Sequence, residues 1–371
     1  MPAFGQPHAL KNPMPNILIS LSAHGYGHAA MTAPIINKIN ELNNNIKFVI
    51  QTSISDTWLR TRIQANFQLI ENKYDFGLVM NSAIAVDREA SARAYQELHA
   101  RWQDRIAEQA EVIKIVNPTI VLSNISYLTL AAAAEARIPS IAVSSLNWLE
   151  IYRYYLDGGA DSKRIQSEML DAYKLASEFL IFTPGLPMDN VPNTRLLGPS
   201  ARLGVNHCHS LVSLSMGDRL GLVAFGGIAT RLPVEGWPSI PGWRFLVPPE
   251  WNTATDRLIP WDRAGLSFVD LIASVDAVIT KPGYGTFTEA ACNGTAVLAQ
   301  VRPDWPETPY FESWMAKNAR FLTVPERTIH SGDLAEVLED LLLQPRPPVP
   351  KPSGVAEACD IILKTLNKQH M

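Results

Sequence analysis

The stretch that most limits how this chain can fold is Val275-Asp-Ala-Val-Ile-Thr-Lys-Pro-Gly-Tyr-Gly-Thr-Phe-Thr-Glu-Ala-Ala-Cys-Asn-Gly294. Its short apolar run, Ala277 to Thr280, has the composition of a buried strand and stops at a Pro-Gly-x-Gly turn. A helix is expected to follow, with Thr286 and Thr288 in or near its first turn, Glu289 close by and Asn293-Gly294 as its stop. Glycines ahead of a helix leave backbone N–H groups free and let a ligand approach, and the helix dipole adds partial positive charge. Such a turn suits phosphate. The same pattern also serves an ordinary strand-loop-helix crossover, so the rest of the chain has to decide.

A chain of 371 residues predicts two domains. It is 47% hydrophobic and 18% charged, enough apolar material for sizeable cores. A net charge of −4 without a basic block argues against nucleic acid as a partner. Cys208, Cys292 and Cys359 are too few and too scattered for a disulfide framework, which suits a reducing cytoplasm. No signal pattern is expected in Met1 to Pro15, and no apolar run is long enough for a membrane span.

Taken in order, Ile17 to Leu21 reads as a buried parallel strand ending in Ser22-Ala-His-Gly-Tyr-Gly-His-Ala-Ala30. The Gly25-x-Gly27-x-x-Ala30 spacing satisfies a dinucleotide fingerprint, but the next strand, Lys47 to Gln51, lacks the acid needed for a ribose. His24 and His28 have two ordinary readings: polar residues filling a tight loop, or a metal pair that the intervening glycines would hold poorly. Their functional reading is a general base or phosphate-side donor at the carboxyl end of the first strand. No metal site is expected, the close pair His207 and His209 lying in a polar connector. One long helix is expected through Tyr95, Leu98, Trp102, Ile106, Ala110 and Ile113 to Asn117-Pro118. Strands follow at 119–123, with Asn124 just beyond, at 139–143, and at 179–182 as the last of the first domain.

The boundaries this implies are an N-terminal domain over 15–185, a linker over 186–206, a second α/β domain over 207–345 and a C-terminal helix over 355–368. Strands are expected at 222–225, ending in Gly226-Gly227, and at 244–247, 277–280, 296–301 and 321–324. Five prolines within 344–354 form a stiff spacer before the final helix. The fold class is α/β, two doubly wound Rossmann-like domains facing a cleft.

Six segments, in order, resemble glycosyltransferases of the GT-B fold, the group that holds the peptidoglycan N-acetylglucosaminyltransferase and the plant UDP-glycosyltransferases. The chain is closer still to the N-terminal, glycosyltransferase-like half of plant L-arabinokinases. The segments are His24-Gly-Tyr-Gly-His28, Val86-Asp-Arg-Glu-Ala-Ser91, Ile120-Val-Leu-Ser-Asn124, Ser145-Leu-Asn-Trp-Leu-Glu-Ile-Tyr152, Pro184-Gly-Leu-Pro187 and Ile279-Thr-Lys-Pro-Gly-Tyr-Gly-Thr-Phe-Thr-Glu-Ala290. Nothing similar to the ATP motifs of the kinase half follows residue 330. The resemblance implies a nucleotide-diphosphate sugar, UDP-linked by preference, bound on the second domain and passed to an unidentified acceptor with inversion. It implies that Gly283, Tyr284, Gly285 and Thr286 hold the diphosphate, Glu289 the ribose, and Gly226 and Gly227 the phosphates from the other side. It places the loop Asp304 to Tyr310, Glu307 included, at the donor sugar, and gives His28, or His24, the catalytic role. No cofactor is expected, and the sequence has no Asp-x-Asp of the metal-dependent kind.

At one position the sequence departs from these relatives. They carry an Asp where this chain has Asn124, and an Asn orients a histidine without stabilising its charged form. Two further readings therefore stand beside transfer: a nucleotide-sugar hydrolase or epimerase using Glu307 or Asp304 as second acid, and a non-catalytic nucleotide-sugar-binding protein. Lys281 reads more simply as a loop charge, Arg302 as either a phosphate partner or a strand-end cap, and Trp237, Trp243 and Trp251 as core.

Overall fold

The computed structural model describes residues 14–71, 75–81, 85–225 and 231–369. Two all-parallel sheets organise them. The first contains β1 (Asn16–Leu21), β2 (Lys47–Gln51), β3 (Phe67–Ile70), β4 (Ile120–Asn124), β5 (Ser140–Ser144), β6 (Glu178–Phe182) and β7 (Thr194–Leu197), in the order β3-β2-β1-β4-β5-β6-β7. The second contains β8 (Arg219–Ala224), β9 (Trp243–Val247), β10 (Leu258–Pro260), β11 (Ala277–Thr280), β12 (Ala296–Gln300) and β13 (Phe321–Val324), in the order β10-β9-β8-β11-β12-β13. Helices cover both faces of such sheets, which is why central strands such as Ile120–Asn124 are buried at every position.

The strand orders carry the functional consequence. In each sheet the order reverses once, between β1 and β4 and between β8 and β11. Chains diverge to opposite faces there and leave a crevice at the carboxyl edge. Leu21 pairs with Asn124 at the end of the first junction, and Thr280 with Ala224 at the end of the second. Both glycine turns singled out in the sequence leave from these junctions.

Three sequence expectations are corrected. β7 follows β6, so 179–182 is not the last strand of its sheet, and the segment 186–206 contains a strand instead of being linker throughout. Thr194–Leu197 is an edge strand with three exposed positions, too short and too polar on its outer side to show a period. The long helix is two, Arg88–Ala100 and Trp102–Val116, divided at Arg101, whose φ of −121° leaves the helical region. The apolar stripe continues across the break, and the stripe was all that periodicity could detect.

The last helix, Gly354–Lys368, returns to the first half of the chain. Its Ala358, Cys359, Ile361, Ile362 and Leu366 share a core with β1, β2 and the helix Tyr26–Leu42. Among the described residues no helix is long and apolar enough to cross a membrane. Ile362 is fully buried in that shared core. Ile362→Ala should therefore cost about 2–4 kcal/mol, read as a lower urea midpoint with unchanged slope.

Candidate active site

The first junction supplies a histidine of defined tautomer. Thr32 Oγ1, at 2.8 Å, and the His28 carbonyl, at 3.3 Å, both accept from Asn124 Nδ2. That turns the amide oxygen of Asn124 toward His28 Nδ1, 2.9 Å away, so Nδ1 carries the hydrogen and Nε2 is left with its lone pair. Burial lowers the pKa of His28, and the bond to Asn124 opposes this only in part. His28 is thus neutral near pH 7, the state a general base requires.

His24 stands beside it. Its Nδ1 lies 3.2 Å from both the N–H and the carbonyl of Leu78, and its ring meets Trp148 edge-on at 5.1 Å between centroids. Burial, with His28 adding repulsion, pushes its pKa down to about 4. Trp148 also leans on His28, at 5.4 Å, and donates its indole N–H to Asp75 Oδ1 at 3.2 Å. Burial pushes the Asp75 carboxyl up to about 7, against the pull of Ser22 and Trp148. Between the histidines, Gly25 has φ of +150°, a conformation that side chains avoid, and open space surrounds the positions of Gly25 and Gly27.

The second junction faces the first. The helices Tyr26–Leu42 and Tyr284–Cys292 contact one another near this crossing. Each begins at a glycine, Gly25 or Gly283, and neither has a side chain capping its first amides. The space around Gly285 is also open. Lys281 directly follows β11, and Arg302 lies two residues beyond β12. Burial lowers the pKa of both, and Arg302 lowers that of Lys281 further by like-charge repulsion. Two partly buried cations, one of them with Asp304 4.0 Å away, lie with an uncapped helix N-terminus on one edge, an arrangement that can attract an anion.

The expected donor residues are not all free for that purpose. Gly283, Gly285 and Thr286 lie at the helix start as expected. The hydroxyl of Tyr284 is committed elsewhere: it donates to the Thr183 carbonyl at 3.0 Å and accepts from the Ser200 N–H at 2.9 Å, linking the two halves of the chain. Glu289 is held by Arg202 Nε at 2.7 Å. Gly226 and Gly227 lie outside the described residues. Glu307 spans the cleft, accepting from Ser145 Oγ and from Trp305 Nε1, each at 2.9 Å, and burial pushes its carboxyl up to about 7.

Trp305 follows Glu307 across. Its ring belongs to the core of the first half, lies parallel to His24 at 6.2 Å, and takes the Arg302 guanidinium at 4.3 Å. Sequence reasoning set Lys281 and Arg302 aside and did not single out Trp148, Trp305 or Asp75. For the two cations a signal existed in their positions just past β11 and β12. Trp305 lies in the loop that the resemblance placed at the donor sugar, whereas Trp148 and Asp75 gave no such signal, their partners lying far away in the chain. Trp243 and Trp251 are core, as the simpler reading had them.

No protein-family model matches this chain. It is 25% identical over 317 residues to the L-arabinokinase of Arabidopsis thaliana, covering 80% of this chain but 29% of that protein, so it spans under a third of the relative's length. Among solved structures it resembles the glycotransferase of kitacinnamycin, with a TM-score of 0.62 at 15% identity over 96% of both chains. It also resembles a putative UDP-N-acetylglucosamine 2-epimerase from Listeria monocytogenes, with a TM-score of 0.56 at 13% identity over 96% of this chain and 98% of that one.

Glu307 makes a testable contribution to stability. Its ordinary pKa of 4.5 rises to about 7 on folding, so the folded protein keeps a proton that the unfolded chain has lost. Stability from this group therefore falls as pH rises through that window. A glutamine can donate to Ser145 and accept from Trp305 without ionising. Relative to the parent, Glu307→Gln should gain about 1–3 kcal/mol between about pH 5 and pH 8, measured by urea denaturation at each. His24 has the opposite slope, losing stability as pH falls from 6.5 toward about 4, and it cancels because both proteins contain it.

Proposed function

We propose that this chain, which has the GT-B fold, is a metal-independent glycosyltransferase that moves a sugar from a nucleotide diphosphate to a hydroxyl acceptor. A UDP-linked donor is favoured. The observation that carries the reading is the convergence of unlike chemistry at the two junctions: a neutral histidine with a free Nε2 on one side, and two cations with an uncapped helix on the other. The acceptor oxygen attacks the anomeric carbon as its proton passes to His28 Nε2, and the bond to the diphosphate oxygen breaks. Negative charge then grows on the diphosphate, where Lys281, Arg302 and the first amides of the helix Tyr284–Cys292 stabilise it. These groups supply the charge that a metal provides in other transferases.

Asn124 sets the limit of the base. It fixes the ring of His28 but offers no negative charge to the imidazolium, so His28 stays a weak base that is competent at neutral pH. One observation favours a second reading, hydrolysis or epimerisation of the nucleotide sugar. Glu307, buried in the cleft with a pKa of about 7, can exchange a proton at neutral pH. The likeness to a putative epimerase is compatible with it.

Thermal unfolding with UDP and no added metal tests the donor site. UDP at about 100 times its dissociation constant should stabilise the protein by about 2.7 kcal/mol, and Lys281→Ala or Arg302→Ala should abolish most of the shift at the same concentration. No shift with UDP, GDP, dTDP or CDP would remove the nucleotide-sugar reading. His28→Ala should keep UDP binding while turnover falls about 10²–10⁴-fold. Product analysis with UDP-N-acetylglucosamine and no acceptor separates the two readings: release of free sugar or appearance of an epimer would replace transfer.

The pH profile tests the base. Because burial lowers the pKa of His28, the acid limb of turnover should lie below pH 6.5. In Asn124→Asp the carboxylate favours the imidazolium, so the limb should move to higher pH. An unmoved limb would take the base role from His28.

A further inference from the structure

A cavity of about 560 Å³ opens between the helix Trp148–Leu156 and residues 186–190 on one wall and residues 303–310 on the other. Its walls come from both halves of the chain, so it exists only while the two sheets face one another. Tyr154 and Tyr310 line it with 49% and 41% of their surface exposed, so ring faces are available to a ligand. Trp305 is the wall it shares with the histidine site. Prolines from both sides add flat, rigid apolar surface.

The charges at this cavity differ from those of the anion site. Glu150 and Arg153 pair at 2.7 Å, and Arg153 Nε also donates to Gln166 at 3.1 Å. Asp189, exposed at the rim, leaves the lining with net negative charge. A diphosphate is repelled from such a pocket, whereas a carboxylate beside aromatic rings suits an uncharged polyol. Hydroxyls donate to the carboxylate, and the apolar face of a sugar ring packs on the aromatic one.

We infer that this cavity is a second carbohydrate site, binding a neutral saccharide unit between Tyr154 and Tyr310 with Asp189 accepting from its hydroxyls. Trp305 is common to its wall and to the surroundings of His24, whereas neither Lys281 nor Arg302 lines it. The inference does not depend on the donor being UDP-linked. Because both halves line the pocket, a saccharide held there also favours the arrangement in which Glu307 reaches Ser145.

Saturation-transfer NMR on the full chain tests this with methyl glycosides of glucose, galactose, mannose and xylose, and with UDP measured in parallel. At least one glycoside should bind, and Tyr310→Ala or Tyr154→Ala should weaken it about tenfold while Tyr310→Phe retains it. Asp189→Asn should weaken it too, and UDP affinity should change less than about twofold in the Tyr154 and Asp189 variants. Both tyrosines are exposed, and an unchanged thermal midpoint confirms that the variants fold. Absence of binding by all four glycosides overturns the inference, as does binding that ignores Tyr154, Tyr310 and Asp189. Displacement of the glycoside by UDP or uridine also overturns it, by placing the sugar in the donor site. A protein that binds a glycoside but no nucleotide keeps this inference and loses the proposed donor chemistry.

Discussion

A buried carboxyl group joins the two carboxyl edges, and the other contacts between them are arranged around it. Glu307 leaves the second half of the chain, enters the first, and is bonded there by Ser145 while Trp305 closes over it. Burying a carboxyl costs free energy unless it stays protonated or its charge is matched. Its rise to about 7 shows that burial dominates over the two hydrogen bonds and the nearby Arg302. What offsets this cost is the apolar surface of Trp305, which packs into the core of the first half as though it belonged there. The contact is therefore stabilised by the indole and made sensitive to protonation by the carboxylate. Tyr284 forms the matching link on the other side, through Thr183 and Ser200.

Given that juxtaposition, topology supplies the chemistry. In an all-parallel sheet every strand delivers its loop to the same edge, and the one reversal of strand order leaves space there. β1 and β4 put His28 and Asn124 in hydrogen-bond contact although 96 residues separate them. β11 and β12 put Lys281 and Arg302 close enough to repel each other. Asp304 and Glu307 favour the charge on Arg302 itself, so the cleft contains carboxyl groups as well as cations.

These facts divide what sequence could and could not reveal. Continuous apolar runs and glycine turns made β1, β4, β11 and the helix starts legible, because each signal is local and repeats a backbone requirement. The pairing of His28 with the position of Asn124 was legible only through resemblance, since nothing local joins residues so far apart. β7 was missed because an edge strand buries too little to acquire a pattern. The break at Arg101 was missed because a helical stripe can continue across a kink. The resemblance places Tyr284 among the donor residues, and its hydroxyl reaches the opposite half of the molecule, which leaves its backbone N–H at the helix start. Side-chain direction at a helix start is set by tertiary partners, and periodicity carries no information about it.

Trp305 is shared by two neighbourhoods of unlike charge: its ring meets His24 and the Arg302 guanidinium, and it also lines the cavity of Asp189, Tyr154 and Tyr310. Charge alone would keep a diphosphate out of that cavity. The flat rings there match the face of a sugar better than they match a phosphate. Moving the Trp305 indole would break its hydrogen bond to Glu307 and its parallel contact with the His24 ring, so both sides of the cleft depend on where that ring sits.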